Sequence, residues 1–257
     1  TFNPASGNVY QRPSIVRLPT GDLWAISDLR IGGNGDIGNS NRVDIAGRLG
    51  TLKEDNTYTW GNETVLLAGD ANATEDFKYA YGDAASVVDR ESGKVLLMTC
   101  AGKEGVSSTN DGFPLVARSV FDNNTWSTIN VTNQLYGTNN LFGVHLFVSS
   151  GRIIQSTIYK KKDYYRIYAG VCSVKSATVP SRGSRVIYSD DFGETWNYLG
   201  GYDAMPVDIG NECKIEELPD GSILLNTRTN AAPLFGRHMN IFKFTDIANG
   251  KGSWQSQ

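Results

Sequence analysis

The chain has 257 residues and a mass of 28.0 kDa, and its 24 basic against 27 acidic side chains leave a net charge of −3. That balance argues against a nucleic-acid groove or an anionic membrane surface as the main partner. A hydrophobic content of 40% excludes wholesale disorder, and no apolar run approaches the roughly 18 residues of a membrane span. The length suits one large domain or two smaller ones, and an all-β chain of this size is usually one.

The opening residues, Thr1 to Pro4, do not have signal-peptide character, so any export signal is expected to have been removed or to lie outside this chain. Four segments in chain order then read as strand, glycine turn, strand: Ser14–Ile26, Ser86–Met98, His145–Gln155 and Lys214–Asn226. Each has β-branched or leucine-rich flanks around a glycine that can take positive φ, which predicts hairpins at Gly21, Gly93, Gly151 and Gly221. The glycines are 72, 58 and 70 residues apart, and four of the five tryptophans (Trp60, Trp126, Trp196 and Trp254) keep a similar beat at 66, 70 and 58. The pattern predicts four copies of one all-β unit, the sequence signature of a repeat architecture such as a β-propeller. In each copy the tryptophan is expected to plug the gap between a turn and the next strand.

Between these segments several features invite sharper readings. Lys160-Lys161-Lys162, followed by Tyr164, Tyr165 and Tyr168, looks like a basic-aromatic patch but is too short in an acidic chain, and a hairpin tip is expected instead. Cys100, Cys172 and Cys213 form no Cys-x-x-Cys pair, which leaves no zinc spacing with His145 or His238 and predicts buried thiols. The two histidines are expected to be structural. Asn62, Asn72, Asn123 and Asn130 head glycosylation triplets that chance also produces in such a chain. The Gly32-Gly33-Asn34-Gly35 loop does not end in the Gly-Lys-Ser/Thr of a phosphate loop.

Ser189-Asp190-Asp191-Phe192-Gly193-Glu194-Thr195-Trp196 matches the Ser-x-Asp-x-Gly-x-Thr-Trp "Asp-box" of sialidases at every fixed position. Its logic is local: a carboxylate accepts N–H bonds across the turn, glycine permits positive φ and tryptophan packs beneath. Worn copies keep Asp55, Thr59 and Trp60, then Ser119, Thr125 and Trp126 with a shifted Asp122, and finally Trp254 with Asn249 in the Asp position. Two further stretches are more specific. Tyr10-Gln11-Arg12-Pro13 leads through the first hairpin to Asp28-Leu29-Arg30 and Asp36, and Asn211-Glu212-Cys213 is followed 16 residues after Glu212 by Arg228. Together they resemble the bacterial exo-α-sialidase (neuraminidase) family over essentially the whole chain.

The resemblance implies an all-β, six-bladed β-propeller of which about four blades are present here, hydrolysing terminal sialic acids of glycoconjugates with retention through a tyrosyl intermediate. It implies no cofactor or metal, sialylated glycans or glycoproteins as partners, and a secreted or periplasmic setting. Arg30 and Arg228 would belong to the arginine triad that holds the substrate carboxylate. Asp36 would be the general acid/base, Glu212 the base serving a tyrosine nucleophile, and Asp83 a contact near C4 or C5 of the sugar. The residue types suit those roles, because guanidinium groups grip a carboxylate as a fork and never deprotonate. A tyrosine nucleophile avoids the repulsion that a carboxylate would meet there, and sialidases are known exceptions to the two-carboxylate scheme. Arg30 and Arg228 each follow the second strand of a hairpin and are expected at one rim. The glycine loop is expected to give Asp36 a low-polarity setting and a raised pKa.

Two departures accompany the likeness. The family opens Phe/Tyr-Arg-Ile-Pro, so Gln11 stands in the arginine place and Arg12 in the next, which faces the other side of a strand. Either a local bulge re-aims Arg12 into the site, or the first arginine is missing, or the sequence is in error there; the expectation is that Arg12 reaches the site. No tyrosine follows Tyr202. The chain is therefore expected to be the C-terminally incomplete part, residues 1–257, of a longer propeller that a further segment or a second chain completes. A non-catalytic sialic-acid-binding propeller and a propeller glycosidase for another sugar, such as an exo-arabinanase, stay open as alternatives.

Overall fold

The computed structural model describes residues 5, 7–38, 41–104, 115–137, 144–174, 182–207, 210–229 and 236–256. They fold almost wholly as β-strands, in two compact units, with the first unit spanning residues 1–130 and 150–152 and the second residues 131–149 and 153–257.

In the first unit, β1 (Val9–Arg17), β2 (Leu23–Arg30), β3 (Val43–Leu52) and β4 (Tyr58–Trp60) form an antiparallel meander, with β5 (Thr64–Leu67) also pairing with β3. The next sheet runs β6 (Tyr81–Val88), β7 (Val95–Ala101), β8 (Leu115–Asp122) and β9 (Thr125–Asn130). These sheets pack Ile26, Ile45, Leu67, Tyr81, Val95 and Leu97 into one core cluster. The predicted hairpins around Gly21 and Gly93 are present, and both glycines have positive φ (92° and 76°), the conformation that only glycine takes without steric cost.

The second unit holds α1 (Thr132–Tyr136) and two sheets. One contains β10 (Val144–Val148), β12 (Ile154–Lys161), β13 (Tyr164–Val174), β14 (Arg182–Ser189) and β15 (Asn197–Tyr198). The other is the meander β16 (Gly210–Glu217), β17 (Ile223–Thr229), β18 (Gly236–Asp246) and β19 (Lys251–Ser256), with its hairpin at Gly221 as expected. Their common core includes Tyr168, Val186, Leu199, Ile215, Leu225 and Phe242.

Gly151 does not turn the third hairpin. Both of its flanks, β10 and β12, pair antiparallel with the same strand, β13, so they are two pieces of one interrupted strand. Gly151 and Arg152 form the short β11, which pairs in parallel with β6, and the Gly151 carbonyl accepts hydrogen bonds from Ser14 Oγ at 2.7 Å and Ser86 Oγ at 3.3 Å. The turn of this sheet is instead at Lys162-Asp163, between paired Lys161 and Tyr164, so the lysine run forms the expected hairpin tip.

The Asp-box closes as its chemistry dictates. Asp191 accepts from the Thr195 N–H at 2.8 Å and the Thr195 hydroxyl at 2.5 Å, Gly193 has φ 87°, and the buried Trp196 donates to the Gly193 carbonyl at 3.0 Å. The fourth copy works differently from expectation: Asp246 is the acceptor, and Asn249 donates to it from both its backbone N–H and its amide. Trp254 packs on Phe242 and Trp126 on Phe121, while Trp60, on an outer strand, is 38% exposed with its ring over Gly50. The three cysteines are buried and unbridged. No helix among the described residues is long and apolar enough to cross a membrane.

The Asp-box turn is tied to the rest of its unit by Arg166, a fully buried cation. Its guanidinium lies between the rings of Tyr159 and Tyr188, 4.3 and 4.1 Å from their centroids. It makes a two-pronged pair with Asp190 at 2.6 and 2.9 Å and donates to the Ile247 and Ala248 carbonyls. Removing one partner strands a charge away from water. Asp190→Ala is therefore expected to cost about 3–5 kcal/mol in urea unfolding. Adding Arg166→Met should recover part of that loss, and strictly additive losses would contradict the coupling.

Candidate active site

The first strands of all four sheets share one irregularity. In β1 the pairing with β2 skips between Gln11 and Ser14, and in β6 the pairing with β7 skips between Gly82 and Ala85. In β10 the pairing with β13 skips between Val144 and Phe147, and in β16 the pairing with β17 skips between Gly210 and Cys213. At each skip two residues face one on the partner strand, which is a β-bulge, and bulges re-aim side chains. The bulged pairs are Arg12-Pro13, Asp83-Ala84, His145-Leu146 and Asn211-Glu212, and three of the six predicted site residues stand on them. Arg12 and Asp83 hold φ of 55° and 57°, unusual for residues other than glycine. The β1 bulge turns Arg12 out of strict alternation.

In the first unit Arg12 joins three of the other predicted residues. Its Nε lies 3.2 Å from Asp83 Oδ1 and its Nη2 3.3 Å from Asp36 Oδ1. Arg30, only 3% exposed at the end of β2, places Nη2 2.5 Å from the same Asp36 oxygen and donates from Nη1 to the Asn34 carbonyl at 2.7 Å. Two guanidinium groups therefore converge on one carboxylate oxygen. Arg30 Nε is buried with no hydrogen-bond partner among the described residues, so this cation retains capacity for another acceptor.

Asp36 departs from expectation. Its side chain is 59% exposed rather than in a low-polarity setting. Partial burial works against its ionisation, but the charge of Arg30 and the hydrogen bond and charge of Arg12 outweigh that and hold its carboxyl below the usual range, not above it.

A residue without a predicted role completes the cluster. Asp28, 2% exposed, accepts the Asp83 N–H at Oδ1, 3.0 Å away, and so satisfies a backbone donor that the bulge leaves outside the ladder. Its Oδ2 is 3.8 Å from Arg30 Nη2. Burial, reinforced by the charge of Asp83, pushes the Asp28 carboxyl up to about 8. The signal was in the Asp28-Leu29-Arg30 spacing: residues two apart share a strand face, so the acid had to accompany the buried arginine.

In the second unit the β16 bulge sets Asn211 and Glu212 opposite Arg228, and Arg228 Nη1 donates to Glu212 Oε2 at 2.9 Å. Arg228 is half-exposed, unlike Arg30. Counted from the hairpins, where Arg17 pairs with Leu23 and Glu217 with Ile223, Arg228 is level with Asp28 rather than Arg30. The two arginines are therefore not at matching positions, although residues 28 and 30 share a strand face. Glu217 is occupied elsewhere, accepting from Ser156 Oγ, the Thr157 N–H and Thr157 Oγ1 at 2.5 to 2.7 Å. The His145 side chain lies outside the described residues, and no group of three metal-ligating side chains occurs among those described.

No family model matches the chain. A sialidase of Micromonospora viridifaciens is 28% identical over 239 residues, an alignment that takes in 86% of this chain and 33% of the relative. The Hadza microbial sialidase Hz136 superposes with a TM-score of 0.72 at 21% identity, over 96% of this chain and 46% of that one. The intramolecular trans-sialidase of Ruminococcus gnavus, solved with oseltamivir carboxylate, gives a TM-score of 0.67 at 16% identity, over 97% of this chain and 70% of that one. The sheets are thus those of a sialidase-type β-propeller, and the chain spans about a third of the length of its curated relative.

The raised Asp28 pKa has a consequence for stability. Between pH ~4, where an unfolded aspartate ionises, and pH 8, the folded chain holds a proton that the unfolded chain has released. Asp28 thus favours folding most below pH ~4, and that contribution is lost as pH rises through 8. Asp28→Asn keeps an acceptor for the Asp83 N–H without the titration. Relative to the unsubstituted protein, its thermal midpoint should gain several degrees between pH 5 and pH 9; parallel pH profiles would show that Asp28 does not titrate in this way.

Proposed function

We propose that this chain, a relative of the bacterial sialidases that shares their propeller fold, carries catalytic machinery of an exo-α-sialidase that releases terminal sialic acid from glycans. The observation that carries the reading is the convergence of Arg12 and Arg30 on Asp36 Oδ1 at 3.3 and 2.5 Å. A guanidinium pair that grips a carboxylate is what an acidic sugar with a carboxylate at its reacting carbon requires, and what a neutral pentose does not. This supports the sialidase reading over an arabinanase.

In the proposed mechanism the substrate carboxylate takes over Arg12 and Arg30. Asp36 then loses the charges that depress its pKa, and the surrounding burial raises it toward the range of a general acid at the glycosidic oxygen. Asp83, fixed by the Arg12 pair and its own backbone bond to Asp28, faces the ring substituents near C4 and C5. Glu212, paired with Arg228 in the second unit, is the base that activates a tyrosine nucleophile. The reaction retains configuration through a tyrosyl-glycosyl intermediate and uses no cofactor. Sialylated glycans or glycoproteins met in a secreted or periplasmic setting complete the reading.

The test is turnover of an aryl α-sialoside by the protein that contains this chain. Asp36→Ala and Glu212→Ala should each lower kcat by ~10²–10⁴-fold. Arg12→Lys should weaken binding while leaving the fold intact, because a lysine cannot reproduce the fork. Near-normal turnover by the Asp36 or Glu212 variant would remove that residue from the chemistry. Binding of a sialic acid glycal without any turnover by the unsubstituted protein would leave a lectin-like propeller instead.

A further inference from the structure

The second unit contains a cleft of about 430 Å³ that shares no residue with the Glu212–Arg228 pair. One wall is the end of the Asp-box turn and β15, with Trp196, Asn197 and Tyr198, followed by Tyr202. The other is the β18–β19 turn, with Asn249 and Lys251. The two walls are joined by a backbone hydrogen bond from the Gly200 N–H to the Gly250 carbonyl at 3.0 Å.

The aromatic side chains here are fixed before any ligand arrives. Tyr198 donates its hydroxyl to the Leu135 carbonyl at 2.7 Å, Tyr188 to the Asn249 carbonyl at 3.2 Å, and Trp196 its indole N–H to the Gly193 carbonyl at 3.0 Å. Tyr202 stands edge-to-face with Tyr198, with centroids 5.3 Å apart and an interplanar angle of 80°. The buried Arg185 supports Tyr202 from one side, 4.2 Å from its centroid, and donates to its carbonyl. Tyr198 and Tyr202 are both partly exposed, so ring surface remains open to the cleft. Around it are the exposed amides of Asn197, Gln134 and Asn249, and at Gly201 nothing lies within 4 Å of where a Cβ would stand. Among the described residues no carboxylate lines the cleft, and Lys251 is its single cation.

Rigid aromatic surface, amides that can both donate and accept, open backbone and almost no charge match the two-sided chemistry of a pyranose. A pyranose offers C–H groups to a ring face and equatorial hydroxyls to amides. The volume falls in the range of small-ligand sites and admits one or two sugar rings. We propose that this cleft is a binding site for a neutral hexopyranose unit of a glycan, separate from the site for the acidic sugar. The inference does not rest on sialidase activity, because it uses none of the residues assigned to that reaction. Where both readings hold, one chain has sites for two chemically different sugars.

The experiment is a titration with lactose, a neutral disaccharide, followed by the indole N–H resonance of Trp196, identified by its loss in Trp196→Phe. A saturable shift with a dissociation constant of roughly a millimolar is expected. Asn197→Ala, an exposed change that leaves the core untouched, should weaken binding about 3- to 10-fold through lost hydrogen bonds. Tyr202→Leu should weaken it at least ~10-fold, and Tyr202→Phe, which keeps the ring, should bind like the unsubstituted protein and so guards against misreading a folding defect. The absence of a saturable shift up to ~50 mM lactose would overturn the proposal, as would equal affinity in the Asn197→Ala variant. A shift of the Trp196 resonance by free sialic acid would overturn the assignment to a neutral sugar. Loss of aryl sialoside turnover in Asp36→Ala leaves this titration unaffected, so the two readings fail separately.

Discussion

The constraint on which the candidate site depends is a fault in pairing. Strict alternation along β1 would put Arg12 on the wrong side of the strand, and strict pairing would leave Asp83 and Glu212 as ordinary strand residues. The skips at Gln11/Ser14, Gly82/Ala85 and Gly210/Cys213 each add one residue to the first strand of a sheet and turn a polar side chain out of register. Arg12 and Asp83 adopt a left-handed backbone to do so. That strain is held by neighbours: Asp28 takes the N–H freed at Asp83, and the Ser27 hydroxyl donates to the Gln11 carbonyl at 2.6 Å. The site is therefore an outgrowth of the sheets rather than an insertion between them.

Burial then sorts the charges. Arg30 and Asp28 sit where water cannot screen them, and each answers differently. The arginine keeps its charge and takes Asp36 as partner, while the aspartate is held toward its neutral form by desolvation and by Asp83. Asp36, more exposed and flanked by two guanidinium groups, is driven the opposite way. Two carboxylates within one cluster, Asp28 and Asp36, are thus shifted in opposite directions by environment alone. In the second unit the Glu212–Arg228 pair is more open, and Arg166 shows the contrast. A cation that is fully buried between two tyrosines and paired with Asp190 is spent on holding turns together.

The Asp-box turn has a second consequence beyond stability. Because Asp191, Gly193 and Trp196 close it through their own hydrogen bonds, the residues that follow, Asn197 to Tyr202, leave it in one fixed direction. A motif that is structural at its centre thereby presents a rigid aromatic wall at its exit, which is the wall of the proposed neutral-sugar cleft.

The sequence alone determined the all-β repeat, three of the four hairpin glycines, the complete Asp-box and the residue types of the site, because each is written in local chemistry: positive φ at a turn, a carboxylate across it, alternation along a strand. It did not determine that Gly151 breaks a strand instead of turning a hairpin, since a glycine flanked by apolar residues reads the same in both cases and only pairing with β13 distinguishes them. It set Arg30 and Arg228 at one rim, whereas their levels come from the ladders, which put Arg228 level with Asp28. It gave Asp36 a raised pKa from its glycine neighbours, whereas the charges that lower it come from Arg12, 24 residues away, and from the buried end of β2. Register, bulges and the electrostatics of converging side chains are properties of strands brought together, and no single strand carries them.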